Sequence, residues 1–84
     1  MEKELVGKIT HFFSKINVAV VELTSELNVG DKISIEGAST NFTQAVDSMQ
    51  VDHASVKSAS VGDSVGMKVK SKVHENDQVF KIVE

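Results

Sequence analysis

Four groups of residues in this 84-residue chain have types and spacings that could do chemistry. Gly62-Asp63-Ser64-Val65-Gly66 spells Gly-x-Ser-x-Gly, the pattern of a hydrolase nucleophile elbow. That elbow needs a strand, a sharp turn and a helix, with a histidine and an acid supplied by a longer chain. Here a strand pattern follows the serine, so a turn is the expected role. His11, His53 and His74 are widely spaced, and no pair sits two to five residues apart, so the usual metal-ligand spacings are missing. Asp52-His53 and His74-Glu75 are adjacent pairs, whose side chains point to opposite faces of any strand.

Lys68, Lys70 and Lys72 repeat at period two, opposite Met67, Val69, Ser71 and Val73, and no acid interrupts residues 64–74. Two roles fit. One is a ridge that tracks phosphates, with Lys8 or Lys15 nearby. The other is an outward strand face whose lysines discourage strand addition. Phe12 and Phe13 are adjacent, so a strand buries one and exposes the other. The exposed ring could stack on a base, cap the core or sit in a protein interface.

The elements that must position these residues are strands. Period-two patterns rich in β-branched residues cover Leu5 to Phe13, Val18 to Leu23, Lys32 to Glu36, Phe42 to Val51, Val65 to Val73 and Gln78 to Val83. On the first strand, Val6, Lys8, Thr10 and Phe12 fall on one side, with Leu5, Ile9 and Phe13 near the other. Ser14 to Asn17 reads as a turn, and the alternation slips near Met49 in the manner of a bulge. His53 to Ser60 reads as a loop or ragged strand. The tripeptide Val-Gly-Asp occurs twice before a strand, at residues 29–31 and 61–63. Glycine supplies a positive φ, the aspartate bonds back to nearby N–H groups, and Val29 and Val61 are expected to anchor the turns in the core. Six strands in so short a chain leave edges exposed unless the sheet closes, so a small closed six-stranded antiparallel barrel with Greek-key-like order is expected over residues 1–84 as one domain. A two-sheet sandwich is the alternative.

Composition narrows the function. The net charge is −3, and all nine basic residues are lysine. A nucleic-acid binder is usually basic, and arginine is the usual bidentate reader of phosphates and bases. There is no cysteine, so disulfides, thiolate metal sites and thiol catalysis are excluded. No Walker-type Gly-x-x-x-x-Gly-Lys-Ser/Thr loop is present to hold a nucleotide. The charged Met1-Glu2-Lys3-Glu4 start is followed by no apolar run long enough for a signal peptide or membrane span, which makes the cytoplasm the expected compartment.

Leu27-Asn28-Val29-Gly30-Asp31-Lys32-Ile33-Ser34-Ile35 resembles the apolar-x-Val-Gly-Asp-x-Val-x-Ile segment of the second domain of elongation factor Tu and its relatives. Val46-Asp47-Ser48-Met49, Ala59 to Met67 and Gln78-Val79-Phe80 are similar to later segments of that barrel, in the same order over about residues 5–83. In the large factors an asparagine before the Val-Gly pair lines the aminoacyl pocket; here that position is Ser64, and a second-strand glycine is replaced by Val20. Similar barrels at the C-terminus of U32-type peptidase-like RNA-modification proteins imply that the module can also act as an accessory. The resemblance implies a non-catalytic, translation-associated barrel. It would contact tRNA or rRNA weakly and salt-sensitively through Lys68, Lys70, Lys72 and Lys15 with Phe12 or Phe13. No cofactor, metal, nucleotide or membrane is expected. The alternative is a module that docks onto a larger enzyme or a translation-related or ribosome-associated protein. A contiguous exposed apolar patch around Phe12, Phe13 and Ile16 would favour it.

Overall fold

The computed structural model describes residues 2–52 and 54–83, so His53 lies outside the described residues. Among the described residues ten strands follow one another with no helix between them: β1 (Glu2–Phe13), β2 (Val18–Leu23), β3 (Leu27–Asn28), β4 (Lys32–Glu36), β5 (Asn41–Ala45), β6 (Met49–Val51), β7 (Ala54–Val56), β8 (Ser58–Ala59), β9 (Ser64–Lys68) and β10 (Gln78–Val83). Eight form one antiparallel sheet in the order β5-β4-β10-β1-β2-β9-β6-β7, and β3 pairs with β8 separately.

The expected closed six-stranded barrel is therefore corrected to an open, rolled sheet. The physical reason lies in Phe42 to Val51, expected as one strand with a slip near Met49. The stretch splits at Val46, whose N–H donates to the Asp31 carbonyl and whose carbonyl accepts from Gly30 N–H. Its first half pairs with β4 at one edge, and its second half pairs with β9 near the other. No backbone ladder joins β5 to β9. Instead the buried Gln44 amide spans the seam, donating to the Lys68 carbonyl at 2.9 Å and accepting from Lys70 N–H at 2.8 Å.

β1 is longer than its pattern indicates and carries two register shifts, between Leu5 and Gly7 against β10 and between Ile9 and His11 against β2. Each shift turns the following residues over. Val6 and Ile9 consequently both face the core, against the expected alternation that parted them. The core also takes Ala19, Val21, Ile33, Ile35, Met49, Val65, Met67 and Val79 from the inner faces of the other strands.

The Val-Gly-Asp turns share one geometry. Gly30 and Gly62 have φ of 98° and 90°. The Asp31 and Asp63 carboxylates accept from Asn28 and Ser60 N–H, both at 2.9 Å. A third copy occurs at His74-Glu75-Asn76-Asp77, where Asn76 takes φ 74° and Asp77 accepts from His74 N–H at 2.8 Å. Each turn clasps one buried residue through both its backbone groups: Val46, Leu23 and Ile9, respectively. Val29 and Val61 are not core anchors; they are 39% and 68% exposed. They occupy the second turn position, which points away from the clasped strand.

The lysine stripe is also corrected. β9 ends at Lys68, and Lys70 and Lys72 lie in the irregular run that follows it. The run leaves the ladder because Val69 N–H turns to the Asn17 carbonyl at the tip of the β1–β2 hairpin and Lys70 N–H turns to Gln44. Val69 and Val73 remain buried, but Lys70, Ser71 and Lys72 are all exposed, so the alternation stops there.

Candidate functional site

Ser64 opens a strand, not a helix, so the Gly-x-Ser-x-Gly sequence has no elbow geometry. Among the described residues no group of three or more His, Asp or Glu could hold a metal. His11 instead packs edge-on against Phe13, with ring centroids 4.4 Å apart, and its Nδ1 lies 3.6 Å from the Glu75 carboxylate. His74 Nδ1 is 3.2 Å from the buried Thr40 hydroxyl and sits on the Asp77 turn, where the contacts are structural.

The sheet's outer face between β1 and β6 carries the strongest surface feature. β2 and β9 pair without interruption, so Ala19 and Val21 face the core with Met67 and Val65, and Val18 and Val20 face outward with Lys68 and Gly66. Cross-strand register then builds two rows. One runs His11, Val20, Gly66, Gln50; the other runs Phe13, Val18, Lys68. Phe13, Ile16, Val18 and Val20 line one side of a groove of ≈ 330 Å³ and Gln50 and Asp52 the other, with Ser64 and Gly66 of β9 between them. Phe13 is 46% exposed and Ile16 59%, while Phe12, on the inner side of the strand, packs against the core. A contiguous apolar patch therefore surrounds the hairpin tip.

The sequence-predicted residues divide accordingly. Phe13 and Lys68 share one row across Val18, and Lys15 is exposed on the adjoining hairpin turn. Phe12 is half-buried, packing partly against the core and partly lining the surface at the hairpin tip with Phe13, Ser14, Lys15 and Ile16. Lys70 and Lys72 sit on the irregular run beyond Lys68. Val18, Val20, Gly66, Gln50 and Asp52 had no distinguishing sequence signal, because an outward apolar residue is recognised as outward only once its strand's register is known.

A second depression on the same outer face, ≈ 430 Å³, is lined by Leu5, Gly7, Lys8, Glu22, Thr24, Asn76 and Gln78. Its lining mixes apolar and polar groups, and Lys8 stands directly across from Glu22. Elsewhere, the Lys3 ammonium lies over the Phe80 ring and pairs with Glu36. The hydrogen bond from Lys3, then that from the Ser34 hydroxyl, hold the Glu36 carboxyl below the ordinary range. This cluster joins the start of β1 to β10 and β4, away from the apolar groove.

No protein-family model matches the chain. Among curated proteins it is 38% identical over 80 residues to an uncharacterized protease of Methanocaldococcus jannaschii, covering 94% of this chain and 20% of that protein. It is 34% identical over 82 residues to a collagenase of Porphyromonas gingivalis, covering 95% of this chain and 23% of that protein. The chain thus spans about a fifth of the length of the curated relatives it matches. In structure it superposes on the crystallised C-terminal domain of a Geobacillus thermoleovorans protein assigned to the U32 peptidases. The TM-score is 0.89 at 20% identity, covering 95% of this chain and 93% of that one, a likeness of fold.

These relatives overturn the translation-factor resemblance, and with it the tRNA or rRNA partner and the translation-accessory role. The residues that carried the resemblance are turn chemistry. Glycine at positive φ and an aspartate on a backbone N–H serve any sheet that needs a tight entry into a strand. The third copy at residues 74–77 shows how readily this chain reuses that device.

Proposed function

We propose that residues 1–84 act as one non-catalytic module that docks onto a larger, peptidase-type enzyme body, most simply in the cytoplasm. The observation that carries this is the contiguous exposed apolar patch of Phe13, Ile16, Val18 and Val20 at the β1–β2 hairpin. The occupant we assign to it is the body that makes up the other four-fifths of the curated relatives. Lys15 and Lys68 rim the apolar centre, the arrangement of a protein interface with an apolar core and polar edge. Interfaces between domains of one polypeptide need little intrinsic affinity, because a tether supplies an effective concentration of order millimolar.

The test uses the labelled 84-residue protein and the Methanocaldococcus jannaschii relative prepared without its matching segment. Saturable amide shifts on Val18, Val20, Ile16 and Gly66 are expected, and a Phe13→Ser, Ile16→Ser variant should lose them. Absence of shifts at millimolar concentration, or shifts confined to another face, would overturn the docking role.

A further inference from the structure

Gly66 has no role in the fold that requires glycine. Its φ is not positive, unlike those of Gly30 and Gly62. A Cβ built on it meets only Val18 Cγ1 at 3.5 Å, an ordinary contact. The β2–β9 ladder passes through it without a bulge. A glycine in mid-strand weakens the strand and marks a place where another group approaches closely. An aromatic ring packed over a sheet glycine is one way its exposed backbone is covered. Here its direct cross-strand neighbours, Val20 and Gln50, are not aromatic.

We infer that Gly66 is the floor of a slot for one donor-bearing aromatic side chain, tyrosine or tryptophan, of the docking partner. The inference rests on the docking role proposed above and specifies its anchor. The slot's lining matches such a ring. Val18, Val20 and Phe13 offer an apolar face, and Gln50, Asp52 and Ser64 offer oxygen acceptors for an O–H or indole N–H. Lys68, two residues along the outward face of β9, can reach the ring as a cation–π partner. Donor-bearing aromatics are also the side chains that dominate interface hot spots. The occupant does not come from a second copy of this chain, which contains no tyrosine and no tryptophan.

The test is an amide titration with N-acetyl-tryptophanamide, N-acetyl-tyrosinamide, N-acetyl-phenylalaninamide and N-acetyl-leucinamide. The first two should saturate shifts on Val20, Gln50, Ser64 and Gly66 in the millimolar range usual for so small a ligand. The phenylalanine probe should bind about threefold to tenfold more weakly, the worth of one hydrogen bond. The leucine probe should not saturate. Gly66→Ala should abolish probe binding while leaving the melting temperature unchanged or raising it by up to about 5 °C, since the free protein has room for the methyl. Equal binding of the leucine probe, or undiminished tryptophan binding by Gly66→Ala, overturns the slot. Enzyme-body docking that survives Gly66→Ala overturns the slot and leaves docking standing. Probe binding without any docking of the enzyme body overturns the docking role and leaves the slot standing.

Discussion

Gln44 should be the side chain on which the rolled shape of the sheet depends most directly. It is 4% exposed, and its amide replaces a backbone ladder between β5 and the end of β9. Gln44→Ala removes both hydrogen bonds, each contributing about 1 kcal/mol net, and opens a small void at the seam. A loss of about 2–3 kcal/mol follows, equivalent to a fall of roughly 10–20 °C in Tm for a domain of this length. Gln44→Glu keeps the volume and the acceptor for Lys70 N–H, but sets a carboxylate oxygen against the Lys68 carbonyl. Burial and that carbonyl both disfavour the charge, so the substituted carboxyl has a higher pKa folded than unfolded. Its stabilising protonated form is complete below the unfolded value of about 4.3 and is lost as pH rises through the folded value. Relative to wild type at the same pH, Gln44→Glu should be nearly as stable at about pH 4 and clearly weaker above about pH 7. Thermal unfolding followed by circular dichroism across that range is the assay. A Gln44→Ala midpoint within ~2 °C of wild type, or a Gln44→Glu deficit independent of pH, would refute the seam.

Gly62→Ala should cost about 1–2 kcal/mol although nothing lies within 4 Å of the added methyl, because φ is 90°. The contrast with a harmless Gly66→Ala in the same denaturation assay separates backbone strain from crowding. Gly7→Ala should be far more damaging than either, since its Cβ would lie 2.5 Å from the Glu22 carbonyl oxygen, a backbone atom. In an NMR pH titration, Lys3→Met should move the Glu36 carboxyl upward toward the ordinary range. Because that carboxyl is depressed when folded, its stabilising contribution is present above the unfolded pKa and is lost as pH falls through the folded one; the variant should therefore lose less stability in acid than wild type. The Phe13→Ser, Ile16→Ser pair should lower Tm by no more than about 10 °C, as both side chains are about half exposed, while abolishing docking to the enzyme body.

Much of the local structure is legible in the residues. β2, β4 and β10 have the ends their period-two patterns indicate. The turns before β4 and β9 follow from Gly-Asp chemistry acting within four residues. Glu75-Asn76-Asp77 also reads as a turn, but Glu75-Asn76 stands where the others have Val-Gly, so that it is the same device is seen only in the structure. Asparagine reaches the same positive φ by tolerating it, which only the backbone discloses.

The amino-acid sequence alone determined that this is an all-β chain without cysteine chemistry, and it singled out Phe12, Phe13 and Ile16 as a possible docking patch. Tertiary structure alone decided how the strands meet. The bulges in β1, the split at Val46 and the departure of Lys70 from β9 each arise because a backbone group finds its partner far along the chain. The groove brings residues 13–20 against 50–52 and 64–66, so its existence depends on register between four strands. Alternation within a strand is set by local backbone geometry, whereas register and the space above a glycine depend on what lies on the next strand. That is why Gly66 looks like any strand glycine in the sequence and like an opening in the fold.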